Sequence, residues 1–338
     1  MTDSLAAMVD VEMHPPRQGD SDDGVGILLD APCVDRWQSL LATGQKLFGS
    51  CEWWPQISGG DIRTALFSSL SKRTLSTFSR PETRPALFPD AGMVILRGSH
   101  PHGEELWCRC DHGPHGFNRL AAHAHADALS IEIRVDGIEV LVDPGTYCYH
   151  GEAQWRNYFR STVAHNTLEL FQHDQSDSGG PFMWTRQARA VLENLEYDDD
   201  GGITQWRAHH DGYAGSKEKA IHTREVVLNR QDGLFSIHDS VICPYDAAAR
   251  LAFHLGPDII CQDIEDGQVV LQWSHKGRQQ QARLSLSQGF EWQIIKGQLD
   301  PPLGWYSPSF DVKVPTHMLL GTALLHGNTE WVTTLNVE

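Results

Sequence analysis

From Gly92 to the end of the chain, apolar and polar residues alternate in short runs. Ala128 to Val135 alternates at period two, Asp136-Gly137 is a hairpin turn signal, and Ile138 to Val142 returns with the same alternation. Similar runs recur at 167–171, 225–229, 234–239, 269–274, 282–287 and 329–337. Many short strands with no helical pattern between them predict a mainly β fold, a large antiparallel β-sandwich over residues 91–338. Residues 1–90 read differently. Trp37, Leu40, Leu41, Leu47 and Phe48 fall at helical spacing, and 61–70 is a second helical segment opening on Asp61 after two glycines. Two or three helices are too few to close a core of their own, so this part is read as a partial helical region. Pro81, Pro85 and Pro89 mark the boundary.

Charge and composition narrow the function. The 338 residues carry 27 Lys+Arg against 44 Asp+Glu, a formal charge of −17, which argues against a surface for nucleic acid or anionic membrane. No apolar stretch approaches the roughly 18 residues of a membrane span. The first twelve residues carry Asp3, Asp10 and Glu12 where a signal peptide would be basic and then apolar, so no export address is expected. Seven irregularly spaced cysteines predict no disulfide framework. The acidic loop from Gly19 to Gly24 lacks the spaced ligands of a calcium loop and reads as a solvated turn.

The densest chemistry lies in three stretches: His-Ala-His-Ala-Asp at 123–127, Asp-Pro-Gly-Thr-Tyr at 143–147, and residues 155–167, which end in His165-Asn166-Thr167. Two histidines and one carboxylate with an open position suit zinc. A two-residue turn at Asp136-Gly137 sets Asp143 opposite Ser130, five residues from His125, or about 16 Å along a straight strand. A shared ion therefore requires residues 123–127 to curl back as a compact loop. Two other metal motifs fit less well, because Ala128 stands where a metallo-β-lactamase needs a further histidine and Glu132 lies too far along for a cupin. Cys108, Cys110, His112 and His115 read as one strand face followed by a turn.

At these residues the sequence resembles the heparinase II/III-like group of polysaccharide lyases. The resemblance rests on His-Ala-His-Ala-Asp-Ala-Leu-Ser, Val-Asp-Pro-Gly-Thr-Tyr and Arg-Ser-Thr-Val-Ala-His-Asn-Thr in order, then Asp174-Gln175-Ser176 and the Gly179 to Trp184 segment. It covers roughly residues 90 to 338. The resemblance implies β-elimination on a uronate-containing acidic polysaccharide, and a structural Zn2+ or other divalent cation held by His125, Asp143 and His165. It implies that His123 faces the substrate and that a tyrosine is the acid/base: Tyr149, with Tyr147 and Tyr158 as rivals. Arg156 and Arg160 are candidate substrate-binding cations, with strand-surface ion pairing as the alternative. Trp155, Trp184, Trp206 and Trp305 are candidates for stacking on sugar rings.

The family's helical toroid supplies the rest of its active site, and residues 1–90 resemble only the end of one. The expectation is weak activity for this chain alone, with a separate toroid-bearing polypeptide as partner. The resemblance also implies a periplasmic or cell-envelope setting, against a cytoplasmic one for the chain as written. The alternative function is a non-catalytic glycan-binding or assembly sandwich.

Overall fold

The computed structural model describes residues 1–338 apart from 22, 23, 25, 32, 33, 58, 72–78, 118, 199–201 and 216–218. Asp22 and Asp23 of the acidic loop, and Cys33, lie outside the described residues. The chain divides into two units, one formed by residues 1–16 and 23–86, the other by 17–22 and 87–338. The sequence reading placed 17–22 with the helical region, whereas this short segment belongs with the strands.

The first unit holds helices Thr2–Met8, Arg36–Phe48 and Ile62–Leu70. Two of them start where an aspartate can satisfy free backbone donors. Asp35 accepts from the Trp37 and Gln38 amides at 2.9 and 2.7 Å, and Asp61 accepts from Thr64 at 2.6 Å. Ala6, Val9, Leu41 and Trp54 form its small core.

The second unit is mainly β and antiparallel, as the alternation predicts. A five-stranded sheet runs through Leu87–Phe88, Met93–Ser99, Glu105–Asp111, Ile131–Val135 and Ile138–Leu141. Its two central strands, Glu105–Asp111 and Ile131–Val135, are buried on both faces, which is why charged Arg109, Glu132 and Arg134 sit inside and must pair there. An eight-stranded sheet is built on Ile203–Tyr213, Ala220–Asn229, Leu234–Ile242 and Thr329–Val337 at its centre, with buried residues at alternate positions. A third sheet orders Glu291–Lys296, His317–His326, Asp246–His254 and Leu168–Leu170.

The Asp136-Gly137 hairpin forms as expected. Both residues have positive φ, 49° and 82°, and Val135 pairs with Ile138. One register slip then sets Ile133 opposite Leu141. The preceding strand begins only at Ile131, because Ser130 donates back to the Asp127 carbonyl at 2.9 Å and Leu129 adopts φ of 60°. Arg156 and Arg160, for which strand-surface pairing was the alternative reading, lie on helix Ala153–Arg160, whose buried face also carries Trp155, Tyr158 and Phe159.

Candidate metal centre and active-site wall

The loop from Ala121 to Ser130 folds back on itself, with the Ala124 amide donating to the Ala121 carbonyl at 2.9 Å. This is the compact loop that a shared ion demands. It brings His125 to Asp143, which follows strand Ile138–Leu141, and to His165, which follows the short 3-10 turn Thr162–Ala164. Ligand atoms of these three buried residues all lie within 4.8 Å of one another.

A hydrogen bond fixes the His165 tautomer. His165 Nδ1 lies 2.8 Å from the Ser161 carbonyl, which can only accept, so Nδ1 carries the proton and Nε2 the lone pair. Burial drives His165 down to about 3, so this ring is neutral. His125 Nε2 lies 3.0 Å from Asp20 Oδ1 and donates to that carboxylate, and His125 Nδ1 is turned toward His165. His125 Nδ1 and His165 Nε2 face each other across 3.2 Å. Asp143 Oδ2 is buried without a hydrogen-bond partner, 3.6 Å from His165 Nε2. One nitrogen from each imidazole and a carboxylate oxygen thus converge in a buried space, a donor set that suits a divalent cation. Ligands about 2 Å from a tetrahedral zinc sit about 3.3 Å apart, so the donor set fits that ion.

Asp20, which the sequence reading passed over, ties this buried cluster to the surface. Its Oδ1 faces His125, and its Oδ2 lies 3.1 Å from His123 Nδ1. Arg156 holds the same carboxylate with both terminal nitrogens, Nη2 donating to Oδ2 at 2.7 Å. Burial would raise the Asp20 pKa, but hydrogen bonds from His125 and Arg156 outweigh it and hold the carboxyl at about 2. Gly19 makes the approach possible, for a Cβ there would strike the His123 carbonyl oxygen, to which the Asp20 amide donates at 2.8 Å.

His123 itself is open to solvent, its side chain 63% exposed. Of the three candidate tyrosines only Tyr149 stands beside it, with ring centroids 5.7 Å apart, and the Tyr149 hydroxyl donates to the Ser21 carbonyl at 3.4 Å. Tyr147 is buried with its hydroxyl on Glu152, and Tyr158 is buried with its oxygen accepting from the Trp305 amide at 3.3 Å. Phe182 and Phe310 flank Tyr149 at 5.3 and 4.7 Å, completing an aromatic wall.

Arg156 and Arg160 are each only 2% exposed. Besides Asp20, Arg156 donates to the Pro181 carbonyl, while Arg160 donates to Gly180 and lies over the Trp184 ring at 4.3 Å. Their side chains are buried and engaged in these contacts, and they stand on a helix rather than a strand surface. The tryptophans meet the same correction: Trp155, Trp184 and Trp206 are buried, and half-buried Trp305 packs against the core around Trp155. Aromatic residue type alone gave no face. Cys108 and Cys110 share a strand face as expected, with sulfurs 3.7 Å apart.

A family model described as Heparinase II/III-like, C-terminal, matches residues 80–333. No curated protein matches the chain. Among solved structures, a heparinase III (the BT4657 gene product) aligns with a TM-score of 0.66 and 16% identity over 98% of this chain and 44% of its own. Heparan sulfate lyase HepC from Pedobacter heparinus aligns with a TM-score of 0.64 and 14% identity, over 98% of this chain and 45% of its own. A further heparinase III gives a TM-score of 0.55 at 15% identity, over 73% of this chain and 35% of its own. The chain thus spans less than half the length of each, and the likeness is one of fold.

Proposed function

The chain belongs to the heparinase II/III-like family, and from that premise we propose that it acts in β-elimination on a uronate-containing acidic polysaccharide. The observation that carries the reading is the solvent-open imidazole of His123, clamped by a buried carboxylate on one side and faced by Tyr149 on the other. With Nδ1–H donating to Asp20, His123 presents the Nε2 lone pair to the cleft as a base. It takes the proton α to the uronate carboxylate as the Tyr149 hydroxyl gives its proton to the departing 4-linked oxygen. The C–H and C–O bonds break and a C=C bond forms, so atoms and charge balance. The Arg156 guanidinium, 5.2 Å from the Tyr149 ring centroid, favours the phenolate left behind.

His125, Asp143 and His165 would hold a divalent cation, zinc by its chemistry. It supplies positive charge that locks three chain segments behind the wall. The uronate carboxylate also needs a charge partner. Arg156 and Arg160 are engaged elsewhere, so in this reading a toroid-bearing polypeptide supplies that group, and the isolated chain is weakly active. No helix among the described residues is long and apolar enough to cross a membrane. A periplasmic or envelope setting, where such glycans lie, goes with the reading. Ultraviolet absorbance of the unsaturated uronate tests it, since a glycan-binding module generates none.

A further inference from the structure

The hairpin of strands Asp177–Gly180 and Met183–Arg186 brings one side chain to the aromatic wall, Phe182, from its tip at Pro181-Phe182. The half-buried Phe182 ring meets three others edge-on: Tyr149 at 5.3 Å, His150 at 5.2 Å and His123 at 6.1 Å, with interplanar angles of 74°, 66° and 68°. His123 and Tyr149 are themselves 5.7 Å apart, so the three rings close a triangle. Where Phe182 stands fixes the gap between the other two.

The tip is held by two buried guanidiniums. The Pro181 carbonyl accepts from Arg156 Nε and Nη2 at 3.1 and 2.9 Å, and the Gly180 carbonyl accepts from Arg160 Nη1 at 3.0 Å. Gly180 turns with φ of 142°, a backbone strained for any residue with a Cβ. Farther along, Trp184 Nε1 donates at 3.1 Å to the carbonyl of Ala124, the neighbour of His123, and Arg186 closes the root of the hairpin on Asp177 at 2.8 Å. Arg156 is shared between the parts. The same guanidinium holds Asp20, the partner of His123, and lies 5.5 Å from the Phe182 ring centroid and 5.2 Å from that of Tyr149.

Phenylalanine offers no proton and no charge to the reaction. It offers shape, a rigid ring packed against two groups whose relative placement decides whether both reach one uronate. We infer that Phe182 is a positioning residue for the elimination: it sets the separation and tilt of His123 and Tyr149, and the arginine-held hairpin sets Phe182. The inference rests on the β-elimination reading for what the two rings do.

Steady-state kinetics by ultraviolet absorbance on heparan sulfate and alginate, with crystal structures of the full chain and of its Phe182→Leu variant, test it. Phe182→Leu should lower kcat at least about tenfold while KM stays within about twofold, since leucine keeps an apolar contact and loses the flat ring. Phe182→Tyr, which keeps the ring, should return kcat to within about threefold of the unaltered chain. In the Phe182→Leu structure the separation of the His123 and Tyr149 rings should depart from 5.7 Å by about 1 Å or more. An unchanged kcat in Phe182→Leu, a change in KM alone, a Phe182→Tyr variant as slow as Phe182→Leu, or an unchanged ring separation overturns the inference. If the unaltered chain yields no unsaturated product from either glycan, the β-elimination reading falls and the ring separation alone decides: a shift upholds Phe182 as the spacer, and an unchanged distance removes it.

Discussion

Asp20 Oδ2 stands 3.1 Å from His123 Nδ1, a contact between residues 103 positions apart. The same carboxylate reaches His125 through its other oxygen, so one side chain orients an exposed imidazole and a buried one together. Replacing it should disturb both. Asp20→Asn is expected to lower metal affinity and product formation by about 10–100-fold each, the usual cost of losing a partner behind a ligand. Competition with a chelating dye measures the first and ultraviolet absorbance the second. Unchanged values for both would remove Asp20 from the site.

The chain purified without added metal should carry about one equivalent of a divalent cation, with zinc dominant by elemental analysis. Chelation should lower the melting temperature, and His165→Ala should lose both the ion and that metal-dependent stability. A metal-free protein whose melting temperature is indifferent to chelator and zinc would contradict the assignment of His125, Asp143 and His165.

Acid should weaken the fold through histidines buried in the neutral form. His112 Nδ1 accepts from Trp206 Nε1 at 3.1 Å, and burial depresses this ring to about 4, while His210, also buried, lies well below its ordinary value. A depressed pKa means that the unfolded chain binds the proton first. The stability is therefore full above about pH 6.5 and is lost as pH falls toward 4, by up to about 3 kcal/mol for His112 alone. Urea unfolding across this range should show the loss, and His112→Gln, which keeps an acceptor for Trp206 and does not titrate, should flatten it. Equal slopes in the two proteins would refute the assignment.

The eight-stranded sheet braces the loops that carry His125 and His165 through Arg224. Its guanidinium pairs with Asp239 at 2.8 Å and donates to the Leu129 carbonyl at 2.9 Å and to the Asn166 carbonyl. Leu129 follows His125 by four residues, and Asn166 adjoins His165. Arg224→Met should cost about 3–5 kcal/mol in denaturant unfolding, because it leaves the buried Asp239 carboxylate without its guanidinium, hydrogen-bonded to His222, whose pKa burial lowers. A loss below 1 kcal/mol would show that the ion pair does not brace the loops.

Much of this was legible in the chain. The Thr329 to Val337 run is a strand over those residues, Asp61 is a helix cap, and the His125, Asp143 and His165 motifs converge once the loop at 123–127 is allowed to curl. What stayed hidden depends on long-range placement. Asp20 lies in a glycine-bounded acidic loop that reads as solvated. Its one signal is Gly19 directly before the carboxylate, and that glycine acquires meaning only when the His123 backbone lies against it. The burial of Arg156 and Arg160 stayed hidden because Trp155, Tyr158 and Phe159 share a buried face only at helical spacing, and the sequence assigned that short segment no element. Sequence supplied the chemical groups of the wall; tertiary packing decided which of them face the cleft.

The central claim is that His123 and Tyr149 form one wall of an eliminating active site. Its most direct measurement is the rate of unsaturated uronate formation from acidic polysaccharide, with and without an added toroid-bearing polypeptide. The account predicts a low rate for the chain alone, a rise with the partner, and a fall of at least about 100-fold in His123→Ala or Tyr149→Phe, as expected for loss of a general base or acid. No product under either condition, or a rate that both substitutions leave intact, would contradict it.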